Sequence, residues 1–468
     1  MRIEGSGSAA GGGADPLLSR RYKTWLVVVL LIVSTLNFAD RAVLSVLAQA
    51  IKEDLKFTDA DLGMLQGLGF AILYSILGLP LGWLAERVSR KQLIAVCVAV
   101  WSLMSAACGF ASSFAAMLLC RVGVGVGEAG FLPPSTSLLA DHFGMNRRSG
   151  IFAIMALGAP FGFLIGQSVG GWVAAEWSWR AAFVVLGVPG LVVALIVSWG
   201  LREPPRGLVD GRVAAGPPPA FKLVMVDLFS KPSFRHLLIA SAVSGFTYNA
   251  VTQFVLPFYL RSFGLPLAVV GLVFGTIGFT SNGLGMILGG FGFNWLSRRD
   301  ARWLLWGPAV LFLAAMPLYA GAFASTQSRI SFALIWVSNF LLASNVAATQ
   351  AAVQNLASPG MRSLAAALLA ITIGVIGAGF GPTVLGMLSD HLAAHAFHHA
   401  DFLTLCPGGR GPSGASMSQD VACRSASSQG LREALVWVQI IYVWAAFHFF
   451  WAARTFRRDL YDPASAGP

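Results

Sequence analysis

Apolar runs of bilayer length recur along this chain, and they restrict its fold more than any other feature. A hydrocarbon layer about 30 Å thick takes roughly 20 helical residues to cross, and the helix satisfies every backbone polar group from within. Scanning with a window of about 19 residues finds such runs near 25–47, 62–85, 93–110, 114–139, 150–173, 181–200, 237–259, 268–296, 303–322, 332–354, 364–388 and 435–453. The expected fold class is an all-α membrane protein with twelve transmembrane helices. Charged residues make up 11% of the 468 and hydrophobic residues 56%, whereas a soluble domain carries about 25% charged residues.

Within the fourth run, Cys120–Phe131 reads CRVGVGVGEAGF and places Arg121 and Glu128 in apolar surroundings. An ionisable group at bilayer depth costs roughly 2.5–3.5 kcal/mol on insertion scales, so two in one span point to a partner, an aqueous cavity or a transport role. Seven residues is close to two helical turns, which puts both on one face about 10 Å apart. A buried ion pair that merely locks helices together is the plainer alternative.

The net charge of +11 would suit a nucleic-acid partner if it were clustered. Instead it alternates with the spans: 22 of the 32 Lys and Arg fall on one side, 8 on the other and 2 in spans. The 8 are Lys52, Lys56, Arg180, Arg261, Arg329, Arg410, Arg424 and Arg432, and the two in spans are Arg41 and Arg121. This distribution predicts cytoplasmic N- and C-termini and no nucleic-acid partner. It also allows some affinity for anionic membrane lipids. No cleavable signal peptide is recognised before the first span.

The expected domains are a disordered cytoplasmic tail (1–22), a six-helix bundle (23–200), a Pro-rich cytoplasmic linker (201–233), a second six-helix bundle (234–456) and a cytoplasmic tail (457–468). A long Gly/Ser-rich periplasmic loop covers about 391–430. Internal repeats support the division. The tract Gly82–Lys91, with Glu86, Arg87 and Arg90, aligns without gaps on Gly290–Arg299, and Asp141 with Arg148-Ser149 aligns on Asn355 with Arg362-Ser363. Two pseudo-symmetric six-helix bundles follow.

On these residues the chain resembles the major facilitator superfamily over nearly its whole length. Gly82–Lys91 is similar to that family's signature loop between helices two and three, with Glu86 in the usual Asp position. The resemblance implies a cytoplasmic latch built on Gly82, Glu86, Arg87 and Arg90, in which the acid caps a helix N-terminus and pairs with Arg. Gly158, Pro160 and Gly162 resemble the family's gating helix, although plain packing explains such glycines equally well. Asn37-Phe-Ala-Asp40-Arg41, Gly125-Val-Gly127-Glu128-Ala129-Gly130 and Trp179-Arg180-Ala-Ala-Phe183 are similar to the spinster-like branch, bacterial type, whose animal members move sphingosine phosphate and lysophospholipids. The first two strings also resemble the anion:cation symporter branch.

In that fold helices one and four line the central cavity, so Asp40, Arg41, Arg121 and Glu128 are expected in one cluster. Helix one is expected to end near Gln49, which puts Arg41 level with Arg121. Arg41 and Arg121 offer planar donors to a phosphate or carboxylate, while Glu128 and Asp40 are the candidate proton-coupling acids. Protonation of Glu128 would free Arg121 for substrate, and Asp40 has the alternative of only holding Arg41 in place. From the second half, Tyr248, Asn249, Gln253 and Asn345 are candidate substrate ligands, with Phe246, Phe254, Phe258, Phe274 and Phe279 available as an apolar wall.

The expected activity is a proton-coupled secondary transporter of an anionic amphiphile such as a lysophospholipid or sphingoid phosphate. The alternatives are a small-organic-anion symporter and a non-transporting lipid sensor. A monomer in a bacterial inner membrane is expected, with no enzyme activity, cofactor or metal. The Gly123–Gly127 string lies in a span rather than after a strand, which removes a nucleotide-loop reading. His391, His395, His398 and His399 read as a chance solvated cluster. Cys406 and Cys423 are candidates for a disulfide that closes the outer loop, which is expected to be accessory to transport.

Overall fold

In the computed structural model, residues 19–205, 221–358, 361–397 and 401–461 are described. Most of the expected N-terminal tail, residues 206–220 of the linker, His398, His399 and the last seven residues lie outside them. Twelve membrane-length helices are present among the described residues: α1 (Arg20–Leu55), α2 (Asp59–Gln66 continued by Leu68–Ala85), α3 (Arg90–Cys108), α4 (Phe114–Ala129 and Leu132–His142), α5 (Met145–Ala156 and Gly158–Glu176) and α6 (Trp179–Gly200) form the first half. The second half consists of α7 (Pro232–Phe263), α8 (Leu267–Ile277 to Gly283–Arg299), α9 (Trp303–Ala324), α10 (Ser328–Ser344 and Val346–Leu356), α11 (Arg362–Thr372 to Gly381–Ala396) and α12 (Met417–Trp437 to Ile441–Asp459). Eleven are long and apolar enough to cross a membrane by length and composition. The twelfth, α7, has 32 residues, and its Ser, Thr, Asn and Gln residues dilute its hydropathy.

Both described ends of the chain lie on one face of the bundle, called here the terminal face: Tyr22 Oη donates to Arg202 O (3.2 Å), and Ser233 N donates to Asp459 (3.0 Å). At the opposite, far face the re-entering helices open on side-chain caps. Thr58 and Asp61 form a reciprocal capping box at α2, and Ser113, Ser178 and Ser416 accept from Ala116, Ala181 and Gln419 backbone N–H at α4, α6 and α12. Each such cap stabilises its helix start by about 1 kcal/mol, and it is required because the first four N–H groups of a helix have no internal partner.

Small residues set how the helices pack. A Cβ on Gly162 would lie 2.5 Å from Phe38 Cβ, and one on Gly166 would lie 2.5 Å from Ala39 O, so the glycine stripe of α5 lets its backbone lie directly on α1. Gly158 belongs to the same stripe, against Ser34, and Pro160 is buried beside it. In this conformation Gly158 and Gly162 of α5 pack against α1. Another side of α5 crosses to the second half, where a Cβ on Gly271 of α8 would collide with Gln167 O. Likewise α2 meets α11 backbone to backbone: Gly63 lies against Pro382, Gly67 against Gly379, and Gly386 against Asp59. These seams run from the far face to about mid-depth, at Ser75 with Gly374 and at Phe161 with Phe279. Beyond that level, on the way to the terminal face, Gly78 of α2 has open space where a Cβ would stand.

Three expectations need correction. The linker 201–233 contains a helix, Phe221–Ser230, whose Leu223, Val226 and Phe229 are exposed. Among its described residues the far-side segment 391–430 is mostly helical rather than loop, because α11 runs to Ala396 and α12 begins at Met417. The polar stretch after Met417 has a serine cap and no breaker before Gly430, but hydropathy alone cannot register it. Cys406 and Cys423 are bridged, with Cα atoms 5.5 Å apart. Finally, Lys52 and Arg261, counted as far-side charges outside the spans, are helix residues: Lys52 is buried, and the Arg261 side chain is 5% exposed.

The α1–α5 contact makes a direct prediction. Gly166→Ala forces the new methyl onto the Ala39 backbone, and overpacking of this kind costs about 1–3 kcal/mol. Thermal unfolding in detergent should shift downward, and an unchanged midpoint would contradict the close approach.

Candidate functional site

Helix lengths decide which charges meet. Since α1 extends to Leu55, Arg41 lies about fourteen residues, or about 21 Å, from its far end. Glu128 lies about fourteen residues from Phe114, the far end of α4. The two are level, and Arg41 Nε bonds Glu128 Oε2 at 2.7 Å. Sequence reasoning ended α1 near Gln49 and so matched Arg41 with Arg121. It lost the last turns because Lys52, Glu53 and Asp54 depress hydropathy there.

Arg41 is boxed by aromatics: its guanidinium carbon lies 4.6 Å from the Tyr74 ring centroid, 4.8 Å from Phe70 and 5.4 Å from Phe38. Such faces attract a desolvated cation. The Glu128 side chain is 0% exposed, whereas that of Arg41 is 24% exposed, so an entering molecule meets the arginine first. Arg121 is buried on the same helix as Glu128, 5.5 Å from the Phe70 ring, and its Nε and Nη1 have no hydrogen-bond partner. An unsatisfied buried donor of a charged group costs roughly 1–3 kcal/mol or more, so these two mark a place where an acceptor or water belongs. Asp40 does not hold Arg41. Its Oδ1 accepts from Ser105 Oγ of α3 at 2.7 Å.

The candidates in the second half divide. Tyr248 lines a cavity of about 40 Å³ with Thr252, Tyr319 and Asn339 of its own half and Gln167 of α5. Tyr319 Oη donates to Asn339 Oδ1 (2.8 Å), and Gln167 Oε1 is buried without a partner. Asn282, at the end of a π-helical turn in α8 (Gly278–Asn282), also faces this cavity. Gln253 Oε1 is likewise buried and unpartnered. Asn249 Nδ2 donates to Gly245 O at 2.8 Å, and Asn345 Nδ2 donates to Leu342 O, so in this conformation both amides bond their own helices. Phe254 and Phe258 are 0% exposed core residues and do not form a cavity wall, whereas Phe274 lines the small cavity and Phe279 packs on Phe161. Gln167, Asn282 and Tyr319 were missed from sequence because a lone polar residue in a span has no spacing to betray it.

On the terminal face, the acid that caps α3 is Glu203 rather than Glu86. Glu203 Oε2 accepts from Ser89 Oγ and Lys91 N, both at 3.0 Å, and Oε1 accepts from Arg90 Nε at 2.7 Å. Arg90 is 1% exposed and also pairs with Asp141. Glu86 ends α2, Arg87 stacks on Trp83 at 3.4 Å, and Gly82 faces Pro133. The tract thus ties α3, α4 and the segment after α6 within one half. Burial opposes the Glu203 charge, but the Lys91 N–H and Arg90 bonds outweigh it, so its carboxyl titrates below the ordinary glutamate range.

Among the described residues, no group of three or more His, Cys, Asp or Glu side chains converges as a metal site. The family model described as Major Facilitator Superfamily matches residues 30–393. The chain belongs to the major facilitator superfamily. It is accordingly a membrane transporter and not an enzyme. A relative from Mycolicibacterium smegmatis named as an MFS-type efflux pump is 32% identical over 375 residues, covering 79% of this chain and 85% of the relative. Mouse protein spinster homolog 1 is 28% identical, covering 80% and 74%. The solved structure of a bacterial homolog to the human lysosomal transporter spinster, in an inward-facing and unoccupied conformation, has a TM-score of 0.86 at 29% identity, covering 95% of this chain and all of that one. The spinster-like resemblance of the Asp40-Arg41 and Glu128 strings is thereby supported along the whole superfamily fold.

Glu203→Gln keeps the shape but removes the charge that caps α3 and holds Arg90, a charged hydrogen-bond loss of about 1.5–3 kcal/mol. Because the carboxyl of Glu203 is depressed in the folded protein, its contribution is present above the unfolded glutamate range and lost as pH falls through the folded value. The variant should therefore melt earlier than the parent at pH 7 and converge with it in acid. A constant difference at all pH values would contradict this role.

Proposed function

We propose that this transporter works by proton-coupled alternating access and moves an anionic amphiphile, such as a lysophospholipid or sphingoid phosphate, across a bacterial inner membrane with both termini cytoplasmic. The observation that carries the reading is the Arg41–Glu128 pair with Arg121 beside it, its Nε and Nη1 unsatisfied. With the termini inside, the terminal face, which the seams between the halves do not reach, is the cytoplasmic one, and the far-side seams seal the periplasm.

Two guanidinium groups can grip a phosphate or carboxylate, but one of them is already neutralised by Glu128. An arriving anion competes with that carboxylate for Arg41. Proton uptake by Glu128 ends the competition, so Arg41 turns to the anion while Arg121 supplies its unused donors. Loss of the proton restores the Arg41–Glu128 pair and expels the head group. Substrate charge and proton charge thus enter together, which limits the net charge buried in a low-dielectric site. Asp40, held by Ser105, is the second candidate proton site. Tyr248 and Gln253 of α7 are candidate substrate ligands on the opposite half, and the small cavity at Tyr248 is a place for neutral parts of the substrate.

Two variants test the assignment in proteoliposomes loaded with defined lysolipids. Glu128→Gln, which mimics the protonated acid, should retain binding and lose the pH dependence of transport; unchanged pH dependence removes Glu128 from coupling. Arg121→Lys keeps the charge without the planar fork, so affinity should fall by the roughly 1.5–3 kcal/mol of a charged hydrogen bond. Arg121→Ala should bind more weakly still, and wild-type affinity in that variant would return Arg121 to a purely structural role.

A further inference from the structure

At the far face a second group of buried charges bridges the two halves. Asp59, at the start of α2, accepts Arg261 Nη1 and Nη2 of α7 at 2.7 and 2.6 Å. It also accepts Lys52 Nζ of α1 (2.7 Å) and Ser389 Oγ of α11 (2.7 Å). Asp390 of α11 accepts Asp59 N (3.0 Å) and Ala60 N (2.7 Å), so the N-terminus of α2 is capped by a carboxylate from the opposite half. Arg261 Nε reaches back to Gln49 of α1 at 2.6 Å. Lys52, Asp59 and Asp390 are 2%, 1% and 7% exposed, which makes this a desolvated cluster of two cations and two anions.

Above it lies the disulfide-closed insertion, which belongs to the second half but grips the first. Arg410 pairs with Glu53 at 2.5 Å, and Gly408, at φ 72°, lies so close to α1 that a Cβ would be 2.8 Å from Lys52 O. The insertion is therefore not remote from the moving parts, contrary to its expected accessory place.

We propose that Lys52, Asp59, Arg261 and Asp390, with the Cys406–Cys423 strap over them, form the lock that closes the far face. When that face opens, the charges repartition into Lys52–Asp59 on one half and Arg261–Asp390 on the other. The arithmetic of charge favours this exchange. Each half holds one cation and one anion, so separation strands no net charge on either. Lys52 already bonds Asp59 within its own half, while Arg261 and Asp390 are both near Asp59 and within electrostatic reach of each other. A lock whose parts remain neutral when apart can be tight when closed yet release within a transport cycle, whereas a lock of one lone ion pair would expose two uncompensated buried charges. The inference rests on the alternating-access reading but not on the identity of the substrate.

Spin labels at Ser112→Cys and Thr326→Cys, exposed far-face positions on opposite halves, report the opening without any ligand once Cys97, Cys108 and Cys120 are replaced. Arg410→Ala, Cys406→Ser/Cys423→Ser and Arg261→Met/Asp390→Asn should each add a longer-distance population, raised about tenfold over the parent for a loss of ~1.4 kcal/mol of closing energy. Parent-like distances in all three folded variants would overturn the lock. The repartition has its own readout: once the halves part, Arg261→Met alone leaves Asp390 without a cation on its half, so its longer-distance population should be smaller than that of Arg261→Met/Asp390→Asn. The reverse order would overturn the exchange. A failure of lysolipid transport with these distance changes intact would count against the substrate reading and leave the lock standing.

Discussion

A guanidinium and a carboxylate at 2.7 Å inside a membrane bundle, Arg41 with Glu128, constrain most of what this structure can do. Neither charge could be placed there alone, because the cost of desolvation is repaid only by a partner. The pair in turn requires α1 and α4 to run at matched depth, and that requires α1 to continue to Leu55. Close seating of α5 on α1 is provided by the glycine stripe. The same geometry leaves Glu128 Oε1 and the Arg121 Nε and Nη1 without hydrogen-bond partners, and the contrast between the paired Arg41 and the unpaired donors of Arg121 gives the site its direction.

The two levels of buried charge divide the work. Near mid-depth the charges belong to one half, and Arg41, 24% exposed, is the member a ligand can compete for. At the far face they belong to both halves and are sealed, where separation of the halves can exchange them. Glycine seams between α2 and α11 and between α5 and α8 hold those halves at backbone distance. On the terminal face the Glu203–Arg90–Asp141 group keeps the first half intact without linking it to the second. Rigid halves with contacts that alternate between faces are what alternating access requires.

Much of this was legible in the sequence because membranes impose simple rules. Length and hydropathy give the spans, and the offset repeats give the two halves. The Asp40-Arg41 and Gly-Glu-Ala strings mark the ionic cluster. What escaped notice has physical reasons. The polar start of α12 is helical because Ser416 caps it and the bridge of Cys406 to Cys423 anchors it, and neither factor enters a hydropathy window. Pairings between distant helices were misassigned wherever they depended on helix length, as with Arg41. Glu203 displaced Glu86 as the cap of α3 because the chain folds back after α6, a contact that no local motif announces. Asp59 and Asp390 lie 331 residues apart, with nothing near either to suggest the other.

In the proposed cycle an anion and a proton enter the Arg41–Glu128–Arg121 cluster together. Proton uptake on ligand binding tests it most directly: purified protein in weakly buffered detergent near neutral pH is titrated with an anionic lysolipid while a pH indicator records proton exchange. The account predicts uptake of about one proton per anion bound, abolished in Glu128→Gln although binding persists. Saturable binding by the wild-type protein with no proton uptake between pH 6 and 8 (~ the range where such coupling must act) would contradict it.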